Sequence, residues 1–140
     1  MPEPTYKISQ FDKALHDRSA FSCGVGAIDN WIKNSITEET KSDRVRLWCA
    51  TDDSGTLVGV YALNPHSVAL ENAGQLATKG EAKALESGRS SKPIPVLYLT
   101  CLAIDEKFQK QSLGQALMGH AIRKAVSLAE DIAVSAIVLD

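Results

Sequence analysis

Apolar positions recur at helical spacing from Ala27 onward, as Ile28, Trp31, Ile32 and Ile36, with Asp29, Lys33, Glu38 and Glu39 on the opposite side. That spacing predicts an amphipathic helix, led in by the glycine-rich run Cys23-Gly24-Val25-Gly26. Residues 45–51 (VRLWCAT) and 56–63 (TLVGVYAL) are rich in β-formers and are separated by the turn-forming Asp52-Asp53-Ser54-Gly55, which predicts a hairpin. Residues 96–104 (VLYLTCLAI) form a nearly unbroken apolar run of strand length after Pro95, the pattern of a buried strand at the centre of a sheet. Beyond it, Leu113, Leu117, Ala121, Ile122, Ala125, Leu128, Ala129 and Ile132 mark one face of a long helix, and residues 134–139 (VSAIVL) a last buried strand. The first twenty residues are mixed and polar, with at most a short surface helix around Ala14-Leu15. Residues 71–92, rich in Ala, Gly, Ser and Lys, predict a weak helix running into a loop before Pro93-Ile94-Pro95.

This order predicts an α/β fold, a hairpin feeding a strand–helix–strand crossover whose two strands lie parallel, within one domain spanning residues 1–140. The composition, 44% hydrophobic and 23% charged, excludes a disordered tail, a collagen-like repeat and a coiled coil. With 15 basic against 17 acidic residues there is no global field for nucleic acid or an anionic membrane, so any polyanion site must be a local patch. Cys23, Cys49 and Cys101 are odd in number and make no CxxC pair, which fits reduced thiols and a cytoplasmic location. No basic-then-apolar leader opens the chain, and no run approaches the roughly 18 apolar residues of a membrane span, so no membrane partner is expected.

The candidate chemistry lies at the strand-to-helix turn from Phe108 through Gln109, Lys110, Gln111, Ser112, Leu113, Gly114 and Gln115. A helix N-terminus built of small and polar residues, with Lys110 beside it, offers unpaired N–H groups and a positive dipole end to a phosphate or pyrophosphate. An ordinary helix start fits the same residues, with Ser112 as N-cap and Gly114 serving close packing. His16, His66 and His120 show no ligand spacing with the cysteines, so no metal is expected. His120 falls on the charged side of the long helix and reads as solvated. Cys101 could in principle carry an acyl group, but a buried strand thiol is the simpler reading. Gly24-Val25-Gly26 lacks the preceding strand and third glycine of a dinucleotide fingerprint, and Trp31 and Trp48 read as core.

With these residues in place, the chain resembles the GNAT acetyltransferases, whose coenzyme A fingerprint Q/R-x-x-G-x-G/A reads here as Gln109-x-x-Ser112-x-Gly114, matching at two of its three positions. The likeness is closest to the acetyltransferase toxins of bacterial type II toxin–antitoxin pairs. Phe21-Ser22-Cys23-Gly24 running into Ala27-Ile28-Asp29-Asn30-Trp31-Ile32-Lys33 resembles their F-x-C/S-G-x-x-x-L-D-x-W/F-L-K opening. Val58 to Leu63, Ser67-Val68, Pro93 to Val96, Leu102 to Asp105 and Ala129 to Ile132 follow in the family's order.

The resemblance implies a GNAT fold, a mixed central sheet flanked by helices, with acetyl-CoA as co-substrate. It implies that Leu102, Ala103 and Ile104 hold the pantetheine arm and thioester through backbone groups, and that Gln109, Lys110, Gln111, Ser112, Leu113, Gly114 and Gln115 hold the pyrophosphate. In that branch the acetyl group goes to the α-amine of an aminoacyl-tRNA, which blocks translation, and a ribbon-helix-helix antitoxin neutralises the toxin; a homodimer is expected. Lys41, Arg44, Arg46, Arg89, Lys92, Lys107, Lys110, Arg123 and Lys124 are the candidate patch for a phosphate backbone. The sequence departs from the pattern in three places, one of them Cys101, where the branch often has a basic residue just before Leu102-Ala103. Lys110, Gln111 and Ser112 stand where glycine, a basic residue and glycine are usual. The family's acid, a tyrosine on a helix before a closing hairpin, follows the last strand matched here, whereas Tyr6, Tyr61 and Tyr98 all precede it. The expectation is therefore a fold lacking the usual last helix and hairpin, with the catalytic residue unassigned. The alternatives are a silent derivative that binds coenzyme A or a partner, and an acetyltransferase for another amine.

Overall fold

The computed structural model describes residues 5–68 and 93–139. The weak helix and loop expected over 71–92, and the patch members Arg89 and Lys92, lie outside the described residues.

Five strands form one sheet in the order β1-β2-β3-β4-β5: β1 (Lys7–Gln10), β2 (Arg46–Thr51), β3 (Leu57–Val68), β4 (Ile94–Ile104) and β5 (Ala136–Val138). Neighbours are antiparallel except β4 and β5, which the crossover helix makes parallel. The hairpin, the late apolar strand, the long helix and the parallel direction of the last strand thus stand as the apolar pattern predicts, but that strand, expected buried over 134–139, is confined to Ala136–Val138, half-buried, with Leu139 exposed.

The centre of the sheet differs from expectation. β3 occupies it, with β4 one place outward. Its run Leu57 to Leu63 is buried at every residue, as continuously apolar in its surroundings as β4. The N-terminal segment also differs: Lys7–Gln10 pairs with β2 as an edge strand, and only turns, not a helix, follow around Ala14-Leu15.

Alternation along the strands divides the core. Leu47, Cys49, Val60, Ala62, Cys101 and Ala103 face α1 (Gly26–Asn34) and α2 (Ile36–Lys41), where they meet Phe21, Ile32 and Ile36. Trp48, Val58, Tyr61, Leu63 and Leu99 face α3 (Leu113–Asp131), whose Leu113, Leu117 and Ala121 are buried against them. Each such fully buried aliphatic side chain contributes about 1.5–3 kcal/mol. Ile122 and Ile132, expected on the buried face of α3, are instead exposed, because the sheet covers only the stripe running through Leu113, Leu117 and Ala121.

The first helix is broken at Ser35, where the Arg18 guanidinium donates to the carbonyls of Ile32 (2.9 Å) and Lys33 (3.3 Å) at the end of α1. Gly59 lets α3 approach the sheet: a Cβ there would sit 2.9 Å from Leu117 Cδ1 and 3.0 Å from Ile104 Cδ1. No helix among the described residues is long and apolar enough to cross a membrane.

Candidate active site

β4 and β5 are hydrogen-bonded only from Val96 to Tyr98 on β4, yet β4 continues to Ile104. Its upper half therefore pairs with β3 alone among the described strands, and its other edge lies open. The alternation of an antiparallel ladder decides which groups face that opening. The Asp105 N–H donates to Val58 O across the β3–β4 ladder (2.9 Å), so the backbone of Ala103, two residues earlier, also faces β3 opposite Val60. The N–H and C=O of Leu102 and Ile104 then point to the open side. Of the three residues expected to offer backbone groups, Leu102 and Ile104 do so. Ala103 is turned away, and its side chain is buried on the α1 side of the sheet.

A single 3-10 turn (Glu106–Phe108) and the exposed residues Gln109 to Ser112 lead from β4 into α3. Lys110 and Ser112 adopt positive φ, 65° and 64°, at the two positions where the resemblance has glycine. No side chain caps the start of α3, and its first turn carries no acidic residue, so its N–H groups and positive dipole end remain available to an anion. Gly114 is not needed for packing within the chain: a Cβ built there meets nothing within 4 Å. Bare backbone facing open space at a helix start fits the approach of a pyrophosphate. Leu113 is buried and anchors the turn, while the Gln111 side chain accepts a hydrogen bond from Tyr6 (3.1 Å). The Gln109 side chain is turned inward, its Nε2 donating to Ile104 O (2.9 Å) and Cys23 O (3.0 Å).

The turn is held from the core side by Asp105, 7% exposed, whose carboxylate accepts from the N–H groups of Ser22 (3.1 Å) and Lys107 (3.0 Å). Gly24, at φ +93°, lies against it, since a Cβ there would fall 2.8 Å from Glu106 Oε1.

Two further expectations are settled by placement. His120 is half-buried rather than simply solvated: Tyr61, fully buried in the centre of β3, is hydrogen-bonded to its Nδ1 and stacked on Trp48 with ring centroids 5.1 Å apart. Burial, and then the charges of Lys124 and Arg123, push the His120 imidazole below its ordinary value. Burial pushes the Tyr61 phenol above the usual range. His120 falls three residues after Leu117 and one before Ala121, a spacing that already places it beside the buried stripe. Cys101 is packed on the α1 side of the sheet, and burial pushes its thiol up to about 12, leaving it protonated and unsuited to nucleophilic attack. Within the candidate basic patch, Arg46 is paired with Asp43, Lys124 lies over the Trp48 ring, and Lys107 and Lys110 flank the start of α3.

The chain belongs to the acetyltransferase (GNAT) family, whose model matches residues 14–138. Among curated relatives, a probable toxin TacT of Sinorhizobium fredii is 28% identical over 134 residues, covering 95% of this chain and 70% of that protein. A tRNA-acetylating toxin of Mycobacterium tuberculosis is 29% identical over 123 residues, covering 88% and 68%. Among solved structures, a tyrosine-to-phenylalanine mutant of KacT superposes with a TM-score of 0.82 at 22% identity, covering 96% of this chain and 76% of that one. AtaT complexed with acetyl-methionyl-tRNAfMet gives 0.80 at 21% identity, covering 96% and 77%. An AtaT mutant bound to the C-terminus of the antitoxin AtaR and acetyl-CoA gives 0.75 at 19% identity, covering 97% and 74%. These likenesses establish a shared fold.

Proposed function

We propose that this protein is an acetyl-CoA-dependent N-acetyltransferase of the toxin branch, transferring the acetyl group to the α-amine of an aminoacyl-tRNA. The observation that carries the reading is the open edge of β4 at Leu102 and Ile104 leading directly to the bare backbone at Gly114. The relatives named as toxins, and AtaT with its acetylated tRNA, support the acceptor.

In this reading the turn residues Gln109, Lys110, Gln111, Ser112, Leu113, Gly114 and Gln115 form the pyrophosphate cradle, through N–H groups and the helix dipole. Leu102 and Ile104 supply N–H groups to the pantetheine arm and to the carbonyl oxygen as it gains charge. An α-amine of reference pKa about 7.7–8.0 is partly neutral near neutral pH and attacks the thioester with little help from a base. Tyr61 is not the acid that protonates the leaving thiolate, because it is fully buried and bonded to His120. The protein works in the cytoplasm as a single GNAT domain, pairs with a second copy, and is neutralised by a ribbon-helix-helix antitoxin.

Calorimetric titration with acetyl-CoA tests the site. Saturable binding is expected. Gly114→Pro, which removes an N–H from the start of α3, is expected to weaken it about tenfold, roughly 1.4 kcal/mol, while Cys101→Ala leaves it unchanged. Equal effects of the two substitutions would reject the site. Mass spectrometry of charged tRNA incubated with the protein and acetyl-CoA tests the acceptor. Binding without any label above the enzyme-free control would leave a coenzyme-binding module in place of an active toxin.

A further inference from the structure

The opened edge of β4 contains a chemical conflict. A site that must stabilise oxygen atoms on a thioester and a pyrophosphate needs N–H donors, yet a strand edge presents carbonyls as well. The carbonyl of Ile104 points into the opening at the very end of the strand. It is met by Gln109, whose Nε2 lies 2.9 Å from it and 3.0 Å from the carbonyl of Cys23. Both neighbours are acceptors, so the amide must offer its nitrogen to them, and its two hydrogens are both used. One side chain thereby ties together the end of β4, the turn before α3 and the loop before α1. The contact is independent of the Asp105 carboxylate, which fastens the same loop through Ser22 on the core side.

We propose that Gln109 is a positioning residue for the coenzyme site: its amide withdraws the Ile104 carbonyl from the opened edge and fixes the angle between β4 and the first turn of α3, so that at the end of the strand the Ile104 N–H, and not its carbonyl, is left facing the ligand. The proposal rests on the acetyl-CoA reading for its ligand, and on hydrogen bonding alone for its structural part.

Three substitutions separate the roles. Gln109→Leu removes both hydrogen bonds. Gln109→Glu keeps the shape but offers only acceptors to two carbonyls. Gln109→Arg restores donors. Hydrogen exchange of the ligand-free protein is expected to speed up in peptides covering residues 21–24 and 104–114 of the Leu and Glu variants, with residues 46–63 unchanged as the internal control for folding. Acetyl-CoA is expected to bind the Leu variant about tenfold more weakly, the effect of two neutral hydrogen bonds. The Glu variant should bind at least as poorly, and the Arg variant within about threefold of wild type.

Unchanged exchange in both the Leu and Glu variants, or a Glu variant that binds like wild type, would overturn the proposal. Should the Leu variant fail to fold, the Glu and Arg pair decides it. Failure of the wild-type protein to bind acetyl-CoA would instead reject the proposed function, and the exchange result would still decide whether Gln109 holds the strand end.

Discussion

The two halves of β4 are made of similar residues and do different things. From Val96 to Tyr98 the strand is paired on both sides, with β3 and with β5. From Leu99 to Ile104 it is paired with β3 only, and its outer edge ends against the turn into α3. Apolar sequence runs through both halves, interrupted by the exposed Thr100, because each buries side chains on the two faces of the sheet. The difference lies in the backbone. Where β5 lies alongside, the outward-facing peptide groups are spent on the sheet; beyond it, the outward-facing N–H groups of Leu102 and Ile104 have no strand partner among the described residues. The candidate site is built from strand backbone rather than from reactive side chains.

The largest effect that could break this contrast comes from removing one N–H at adjacent positions. Ala103→Pro deletes a donor that faces β3 and strands a buried carbonyl, a loss of about 1–3 kcal/mol for the unsatisfied group alone. Pro at this position also opposes the ladder sterically. Leu102→Pro deletes a donor that faces the opening, so it spares the ladder and should cost far less stability. Urea unfolding should show a large fall in midpoint for Ala103→Pro and a small one for Leu102→Pro, with coenzyme affinity lost in the latter despite its intact fold. A reversed order would mean that the alternation assigned to the open half is wrong.

Local periodicity made much of this fold legible: the hairpin around Asp52 to Gly55, the long α3 with Leu113, Leu117 and Ala121 inward, and the parallel strand after it. Partnership was less legible. Lys7 to Gln10 carries no apolar pattern and is a strand only because β2 offers an edge, and β3 rather than β4 takes the centre because of which strands flank it. The position of the candidate site is proposed from the small and polar residues before α3 together with the family fingerprint. Its detail could not be read there. Ala103 and Leu102 look alike as apolar strand residues, and only the register with Val60 and Tyr61 shows that one faces β3 and the other the opening. The inward turn of Gln109 depends on two carbonyls from distant parts of the chain, which no spacing encodes.

A smaller effect concerns the core beneath the open half, where Tyr61 lies opposite Leu102 and bonds to His120. The folded protein holds His120 and, by burial, His16 below the ordinary imidazole value of 6.5. The unfolded chain therefore binds more protons than the folded one in that window, and stability must rise with pH through it. The contribution is complete above about 6.5 and is lost as the pH falls towards the lowered folded values. His120→Gln keeps a polar partner for Tyr61 without titrating, so the slope of unfolding free energy against pH between 5 and 7 should be shallower than in wild type. An identical slope would remove His120 from the account.

The smallest effect sharpens the role of the turn that joins the open strand to α3. Ser112 sits at φ 64° and Lys110 at φ 65°. For a residue with a Cβ, that left-handed conformation costs about 1 kcal/mol or slightly more. Ser112→Gly relieves it where the Ser112 side chain makes no capping hydrogen bond to repay the strain. Thermal unfolding should therefore show a gain of about 1 kcal/mol at most, offset in part by the greater freedom of glycine in the unfolded chain. Coenzyme affinity should stay within about twofold, because the N–H that faces the ligand is kept. A loss of affinity with no gain in stability would show that the serine hydroxyl itself takes part in binding, and that the turn, unlike the strand it follows, works through a side chain.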